Sequence, residues 1–227
     1  MSNVLNEIQQ LRLSLVKETK FDLDKAEKVY NFIVGEQQKV VANTVVNESK
    51  PDGIYFILSP SNAIHESIAT DEEKHNSIAV GVKMGNRFAN VVLYDSANGN
   101  DITLYQEDEV SCNEQLFNNT FWKALSDWNG ETNTNNMRSA LNPNLNLDED
   151  EYIPSVAQLH LILLNINEVN KALEEIGGEP MKANWYWSST EYSNTSAWYM
   201  HFGNGSINNF DKAGTGNVVR PSVVCEI

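Results

Sequence analysis

Asn184-Trp185-Tyr186-Trp187-Ser188-Ser189-Thr190-Glu191, then Ala197-Trp198-Tyr199-Met200-His201-Phe202, Asn204-Gly205-Ser206, and Val218-Val219-Arg220-Pro221-Ser222-Val223-Val224 are the stretches whose reading decides the fold. Aromatic residues alternate with small polar ones, and Gly and Asn interrupt them, which is the pattern of antiparallel strands joined by tight turns. Three of the five tryptophans fall here, so the region is expected at the centre of a core. The residues between them are Asn, Ser, Thr, Tyr, His and Gly, the types that recognition surfaces favour. A rigid aromatic frame carrying adaptable polar positions reads as a binding face rather than a catalytic site.

Upstream of this tail, Ile153-Pro154-Ser155 opens a helix, with Ser155 as N-cap and Val156, Leu159, Ile162, Leu163, Ile166, Val169 and Leu173 facing inward; Gly177-Gly178 ends it. Asn142 to Glu151 is a polar, acidic loop. Glu114 to Trp128 places Leu116, Phe117, Phe121, Trp122, Leu125 and Trp128 on one side, predicting an amphipathic helix ended by Asn129-Gly130. Ile54 to Leu58, Ser77 to Lys83 and Phe88 to Asp95 read as strands, the last two joined by a hairpin turn at Met84-Gly85-Asn86-Arg87. Asp95 to Asp101 reads as a surface loop. Strands, two helices and then a run of hairpins predict an α+β domain with segregated elements, whose first and last strands could pair.

Residues 1 to about 46 differ in kind, with no Pro, no Trp and a single Gly. Val4, Ile8, Leu11 and Leu15 form a short heptad seam, and Ala26, Tyr30 and Ile33 resume similar steps after Asp22, a candidate cap. Such a seam serves self-association or packing against the chain's own domain, and two heptads do not choose between them. The turn cluster Asn47-Glu48-Ser49-Lys50-Pro51-Asp52-Gly53 marks the boundary. The expected organisation is therefore an N-terminal helical tether or oligomerisation segment over 1–50 and a recognition domain over 51–227.

The 227 residues carry a formal net charge of −15, and Lys and Arg are scattered rather than clustered. No basic stripe exists to neutralise phosphates, so nucleic acid is not an expected partner, nor is an anionic membrane surface. No apolar run approaches transmembrane length. Residues 1–20 include Asn3, Asn6, Glu7, Gln9, Gln10 and Arg12, so no secretion leader is read there. A native Met1 implies folding in a cytoplasm, and a trimmed leader the opposite. Cys112 and Cys225, far apart, are either two thiols or one bridge.

Candidate chemistry is sparse. His65, His75, His160 and His201 share no ligand spacing with one another or with a cysteine, so no zinc pattern is written. Ser188-Ser189-Thr190-Glu191 lacks a base, an orienting group and a nucleophile elbow; its hydroxyls are expected to bond backbone, with Glu191 in the same local network. Asp148-Glu149-Asp150-Glu151, and Asp127 with Asn129, do not match a calcium loop. Gly203-x-Gly205 and Gly214-x-Gly216 lack a strand-to-helix context and read as hairpin turns. Arg220 is expected to stack on a Trp or to bond a buried carboxylate such as Glu191. No metal, cofactor or catalytic residue is predicted.

The ordered set Asn129-Gly130-x-x-Asn133-Thr134, Ile153-Pro154-Ser155-x-x-x-Leu159, Ile166-Asn167 with Asn170-x-x-Leu173 and Gly177-Gly178, Trp185-Tyr186-Trp187-Ser188-Ser189-Thr190-Glu191-Tyr192, Ala197-Trp198-Tyr199, Phe202-x-Asn204-Gly205 and Val219-Arg220-Pro221 resembles a C-type-lectin-like domain family of gut bacteria and their phages. That family includes the major paralogous domain proteins and the variable proteins of diversity-generating retroelements. The match covers roughly residues 125 to 224.

The resemblance implies a C-type-lectin-like fold of antiparallel hairpins and two helices used for ligand recognition. It implies a frame of Trp185, Trp187, Ser188, Ser189, Trp198, Gly205, Arg220 and Pro221. The implied contact positions are Tyr192, Asn194, Ser196, Tyr199, His201, Asn204, Ser206, Asn208, Phe210, Asp211 and Thr215. The disulfide framework and calcium motifs of calcium-dependent lectins are missing, as are the paired active-site cysteines of the formylglycine-generating enzymes that share the fold. The expected function is non-enzymatic recognition of a host or cell-surface protein or glycan. The expected setting is a homo-oligomeric phage virion component, with a trimer as one form, on a fibre or tail among other virion proteins, assembled in the bacterial cytoplasm. A bacterial cell-surface adhesin head and a virion decoration or assembly protein are the alternatives.

Overall fold

A computed structural model of the protein describes residues 50–106, 117–214 and 217–227; the N-terminal heptad seam, Cys112 and Thr215 lie outside the described residues. Every element below belongs to a compact unit spanning Pro51–Ile227. It combines antiparallel sheets with five α-helices among the described residues, so the α+β composition holds, with more helices than the two expected.

The first sheet holds β1 (Gly53–Ser59), β2 (Asn62–His65), β3 (Ala79–Met84) and β4 (Arg87–Val92) in the order β2-β1-β3-β4. Gly85, at φ +59°, makes the expected β3–β4 turn. Between β2 and β3 a short helix, α1 (Asp71–His75), is closed by a capping box of Thr70 and Glu73. The central strands are buried on both faces, which explains their unbroken apolar sequence. Ile54, Phe56, Val80, Val82, Ala89 and Val91 join the main core, while Ile57, Ala79 and Val92 meet Val223 on the opposite side.

Ser155 caps α4 (Val156–Leu164) as predicted, in a capping box with Gln158. The single long helix expected here is two. Asn165 ends α4 and begins α5 (Ile166–Glu175), while its Nδ2 donates to Leu161 O at 2.9 Å. Gly177 at φ +82° ends α5, with Gly178 N donating to Leu173 O and Gly177 N to Glu174 O, a Schellman closure. Val156, Leu159, Ile162, Val169 and Leu173 pack between the first sheet and the hairpin sheet described below.

The helix predicted over Glu114 to Trp128 is corrected. Among the described residues of that stretch, 117–128, only α2 (Phe121–Leu125), capped by Thr120, is helical, and Phe121 and Trp122 point to solvent rather than inward. Asn129-Gly130 begins a helix instead of ending one: Asn129 is the N-cap of α3 (Gly130–Met137). A Cβ on Gly130 would lie 2.2 Å from Gln158 Oε1 and 2.9 Å from Ser155 N, so close approach to the α4 cap requires the glycine. Asp127 links the elements around it. Its carboxylate accepts from Asn129 N at 3.0 Å, Asn133 Nδ2 at 2.8 Å and Thr190 Oγ1 at 2.8 Å, and its carbonyl accepts from Ser155 Oγ at 2.6 Å.

The last strand, β9 (Ser222–Val223), pairs with β5 (Glu151–Tyr152), not with the first strand as expected from topology. It also lies against β4, where Asn90 takes Val223 N at 2.8 Å and donates to Val223 O at 2.9 Å, acting as a strand partner with its side chain. Arg220 is 1% exposed, and it bonds a buried carboxylate as predicted, but that carboxylate is Asp95 rather than Glu191. Its other contacts are Val92 O at 3.1 Å and Glu179 O at 3.0 Å. Removing one member of a buried ion pair strands the other, so Arg220→Ala is expected to cost about 3–5 kcal/mol in urea unfolding. The double change with Asp95→Ala should cost less than the two single changes summed.

Candidate functional site

The C-terminal hairpins form a three-stranded sheet, β6 (Trp185–Glu191), β7 (Ser196–His201) and β8 (Ile207–Asp211), with β7 central. The pairs Trp185–His201, Tyr186–Met200 and Trp187–Tyr199 join β6 to β7; Ala197–Phe210, Tyr199–Asn208 and Met200–Ile207 join β7 to β8. The two-residue alternation of strands then sorts the side chains. Tyr186, Trp198, Met200 and Ile207 face the helices and the main core. Trp185, Trp187, Ala197, Tyr199, His201, Asn208 and Phe210 share the opposite face.

That opposite face is layered. Trp187 is fully buried beneath it, in a second core with Leu104, Met137, Leu145, Ile153 and Val219, and its Nε1 donates to Ile102 O at 2.9 Å. Above it the rings are open to solvent: Phe210 is 41% exposed, and Trp185, Tyr199 and His201 are half-buried. Tyr199 is the hub, with ring centroids 4.4 Å from Trp185, 5.8 Å from Trp187 and 6.0 Å from Phe210; His201 meets Trp185 edge-on at 4.9 Å. Offset and edge-to-face contacts of this kind hold rings in place as well as burying them. Partial burial pushes the Tyr199 hydroxyl above its ordinary pKa.

The predicted contact residues fall into four places. Tyr199, His201, Asn208 and Phe210 lie together on this aromatic platform. Asn204 and Ser206 sit in the β7–β8 turn beside His201, where Asn204 Oδ1 accepts from Ser206 N at 3.0 Å. Tyr192, Asn194, Ser196 and Asp211 are at the other end of the sheet. Tyr192 there packs edge-on against Trp198 on the core side at 5.4 Å, so it is not brought to the platform. Thr215 lies outside the described residues. Trp185, assigned to the frame on the resemblance, is half-exposed and belongs to the platform itself; its Trp-x-Trp spacing, which places both rings on one strand face, was the available signal.

The far end of the sheet is held by a buried ion pair that the sequence reading missed. Lys212 pairs with Glu191, both nearly inaccessible, and its Nζ donates to Asn194 O at 3.0 Å. Tyr105 donates its hydroxyl to Glu191 at 2.9 Å and presents its ring 4.4 Å from Lys212 Nζ. Glu191 is therefore separate from the hydroxyl network beside it, in which Ser188 Oγ donates to Trp198 O at 2.7 Å and Thr190 Oγ1 to Asp127. Ser189 Oγ is buried without a partner among the described residues.

A cleft of about 610 Å³ lies elsewhere, bordered by Tyr94, Asn98, Asn146, Asp148, Asp150 and Glu151. Ala97, Asn98 and Asn146 along it have φ between 50° and 56°, a conformation that side chains with a Cβ rarely adopt. Burial pushes the Glu151 carboxyl above its ordinary pKa, and among the described residues no basic side chain lines the cleft. Cys225 borders a second cleft of about 400 Å³ with Trp128 and Tyr152. Among the described residues no three His, Cys, Asp or Glu side chains converge as metal ligands, and no helix is long and apolar enough to cross a membrane. No protein-family model matches the chain, and no curated protein matches it.

Depth within the sheet decides what each ring is worth to stability. Trp187→Ala opens a large cavity and is expected to cost about 3–5 kcal/mol in urea unfolding. Phe210→Ala removes a ring that is 41% exposed, and about 1 kcal/mol is expected. Tyr186 and Tyr152 give a pH readout, since burial pushes both hydroxyls up to about 12 from an ordinary value of 10. Below pH 10 both are protonated in the folded and unfolded chain, and the stability linked to them is intact. Between pH 10 and about 12 only the unfolded chain loses these protons, so stability falls across that window. Tyr186→Phe is expected to flatten that fall in urea titrations at pH 9 and pH 11.5.

Proposed function

We propose that residues 51–227 form a C-type-lectin-like recognition head that binds a cell-surface partner through the aromatic platform and has no catalytic role. The observation that carries this reading is the exposure of Trp185, Tyr199, His201 and Phe210 together on one rigid sheet face. Rings left open to water at a fixed spacing cost solvation unless a partner covers them, and aromatic residues are the usual anchors of recognition. The groups that would have to act in a hydrolase are committed elsewhere: Ser188 and Thr190 donate to Trp198 O and Asp127, and Glu191 pairs with Lys212.

The motifs that resemble the C-type-lectin-like family sit at bonding nodes of the domain. Asn133 and Thr190 converge on Asp127, Asn170 brackets Met181 through its carbonyl at 2.8 Å and its amide at 3.1 Å, and Pro154 O accepts from Ser189 N. A role for these residues in maintaining one fold explains why they form an ordered set. The placement of the head on a phage fibre or tail, with residues 1–50 as tether or oligomerisation segment, rests on that resemblance. A bacterial surface adhesin would use the same platform.

The test is binding of the labelled full chain to a panel of gut bacteria by flow cytometry. The combined change of Tyr199, His201 and Phe210 to Ala is expected to lower binding at least about tenfold, equivalent to about 1.4 kcal/mol, with the circular dichroism spectrum unchanged. Unchanged binding by a folded variant removes the platform from the reading and favours the virion assembly role.

A further inference from the structure

Resting on the platform as the contact surface, we propose that its ligand is a neutral glycan, held by ring stacking and by hydrogen-bond donors without a metal ion. Trp185, Tyr199 and Phe210 come from three adjacent strands, so the row they form extends roughly 10 Å across the sheet, from a strand spacing of about 4.8 Å. A row of that length accommodates two linked pyranose rings. The C–H groups on one side of a pyranose carry partial positive charge, and they complement the negative face of an aromatic ring.

The rim of the platform is a set of donors. His201 Nδ1 accepts the Gly203 N–H at 3.0 Å, which leaves the proton of the neutral ring on Nε2. Asn204 Oδ1 accepts from Ser206 N and Asn208 Oδ1 from Asn209 N at 2.9 Å; both amides are thereby oriented with their NH2 groups unused among the described residues. The Tyr199 hydroxyl adds a group that both donates and accepts. Sugar hydroxyl and ring oxygens are dense in acceptors around an apolar ring face, which is the complement of donors placed around a row of rings.

Charge selects against other ligands. The chain carries −15, yet the platform residues themselves bear neither a carboxylate nor a permanent cation, and Asp211 stands exposed at the end of β8. An anionic glycan or a phosphate finds no counter-charge among these described residues and is repelled at longer range by the net charge. A basic peptide finds no carboxylate to pair with among the described residues of the platform face. Among the described residues no carboxylate pair that would hold a bridging cation lies on the same face, so stacking and the amide donors carry the recognition.

The test uses the full labelled chain on the cells that bind it and in gels cast with neutral polysaccharides (mannan, xylan, dextran and a mixed-linkage β-glucan). Retardation is expected in at least one gel and should be unchanged by EDTA. Tyr199→Ala is expected to weaken that retardation about tenfold and Tyr199→Phe to preserve most of it. Cell binding is expected to be lost after periodate oxidation of vicinal diols and retained after protease treatment. Cell binding that survives periodate but is lost to protease overturns the glycan assignment, while its dependence on Tyr199 leaves the platform as a protein-binding surface. Retardation in none of the gels overturns the assignment too, and loss of retardation with EDTA overturns its metal-free form. Binding that ignores Tyr199, His201 and Phe210 altogether removes the platform reading itself.

Discussion

The buried pairing of Arg220 with Asp95 is the constraint on which the arrangement of this domain depends. Arg220 stands in the final segment, 125 positions after its partner. Its guanidinium also reaches Val92 O at the end of β4 and Glu179 O after α5. One side chain therefore holds the end of the first sheet, the exit from the helical layer and the terminal segment at a single point. Continuity with the platform runs through the next residues. Val218 accepts from Trp187 N and donates to Trp185 O, so the segment fixed by Arg220 also lines the edge of β6. Taking two charges out of water is costly, and mutual pairing with additional carbonyl acceptors offsets that cost. The return is positional: β6 is held at its free edge, and the rings it carries inherit that rigidity.

The hairpin sheet separates stability from display by depth. Tyr186, Trp198 and Met200 are buried on the helix side, Trp187 is buried on the other side, and only then does the platform of Trp185, Tyr199, His201 and Phe210 meet solvent. Trp187 belongs to both layers, since its ring contacts Tyr199 and Phe210 from below while its indole nitrogen is bonded to Ile102 O. In the proposed recognition role, a surface built this way would enter binding with little conformational freedom left to lose, and preorganisation of that kind is worth affinity. The Lys212–Glu191 pair does the same for the far end of β8, because Lys212 also reaches the carbonyl of Asn194 in the β6–β7 turn.

What could be read in the sequence was what depends on neighbours in sequence. Ser155 three residues before Gln158 is a capping box with its own local chemistry, and Gly177-Gly178 is a helix stop that requires only a left-handed residue. The strands of the tail were legible because aromatic alternation has a period of two. Asn129-Gly130 was misread because the same dipeptide suits a helix end and a helix start, and its choice is made by Asp127 and by Gln158, 28 positions after Gly130. The predicted helix over Glu114 to Trp128 had the right periodicity and the wrong outcome, since Thr120 caps a fresh start and turns Phe121 and Trp122 to solvent. Arg220 could be recognised as seeking a buried carboxylate, but Asp95 and Glu191 were equally acidic in sequence. Only the fold shows that Glu191 is already held by Lys212 and Tyr105.

The same separation of layers would let the proposed binding surface differ in chemistry without endangering the fold. Ser206, Asn208, Phe210 and Asp211 are exposed on an edge strand and its turn, where substitutions away from caps and cores usually change stability by less than about 0.5–1 kcal/mol. Their alternates on the strand, Ile207 and Asn209, face inward with partial burial. The residues that hold β8 in place are Lys212 beyond its end and the backbone pairs with β7, neither of which depends on the identity of the exposed side chains. Tyr199 and His201 are more constrained, because each contacts Trp185, and His201 also accepts the Gly203 N–H that shapes the turn. Freedom to vary therefore increases from β6 through β7 to β8. A surface graded in this way keeps all of its rings but Phe210 on β6 and β7 and its polar side chains on the edge, so under the proposed recognition role a change of ligand would proceed at Asn208 and its neighbours while the platform geometry stayed fixed.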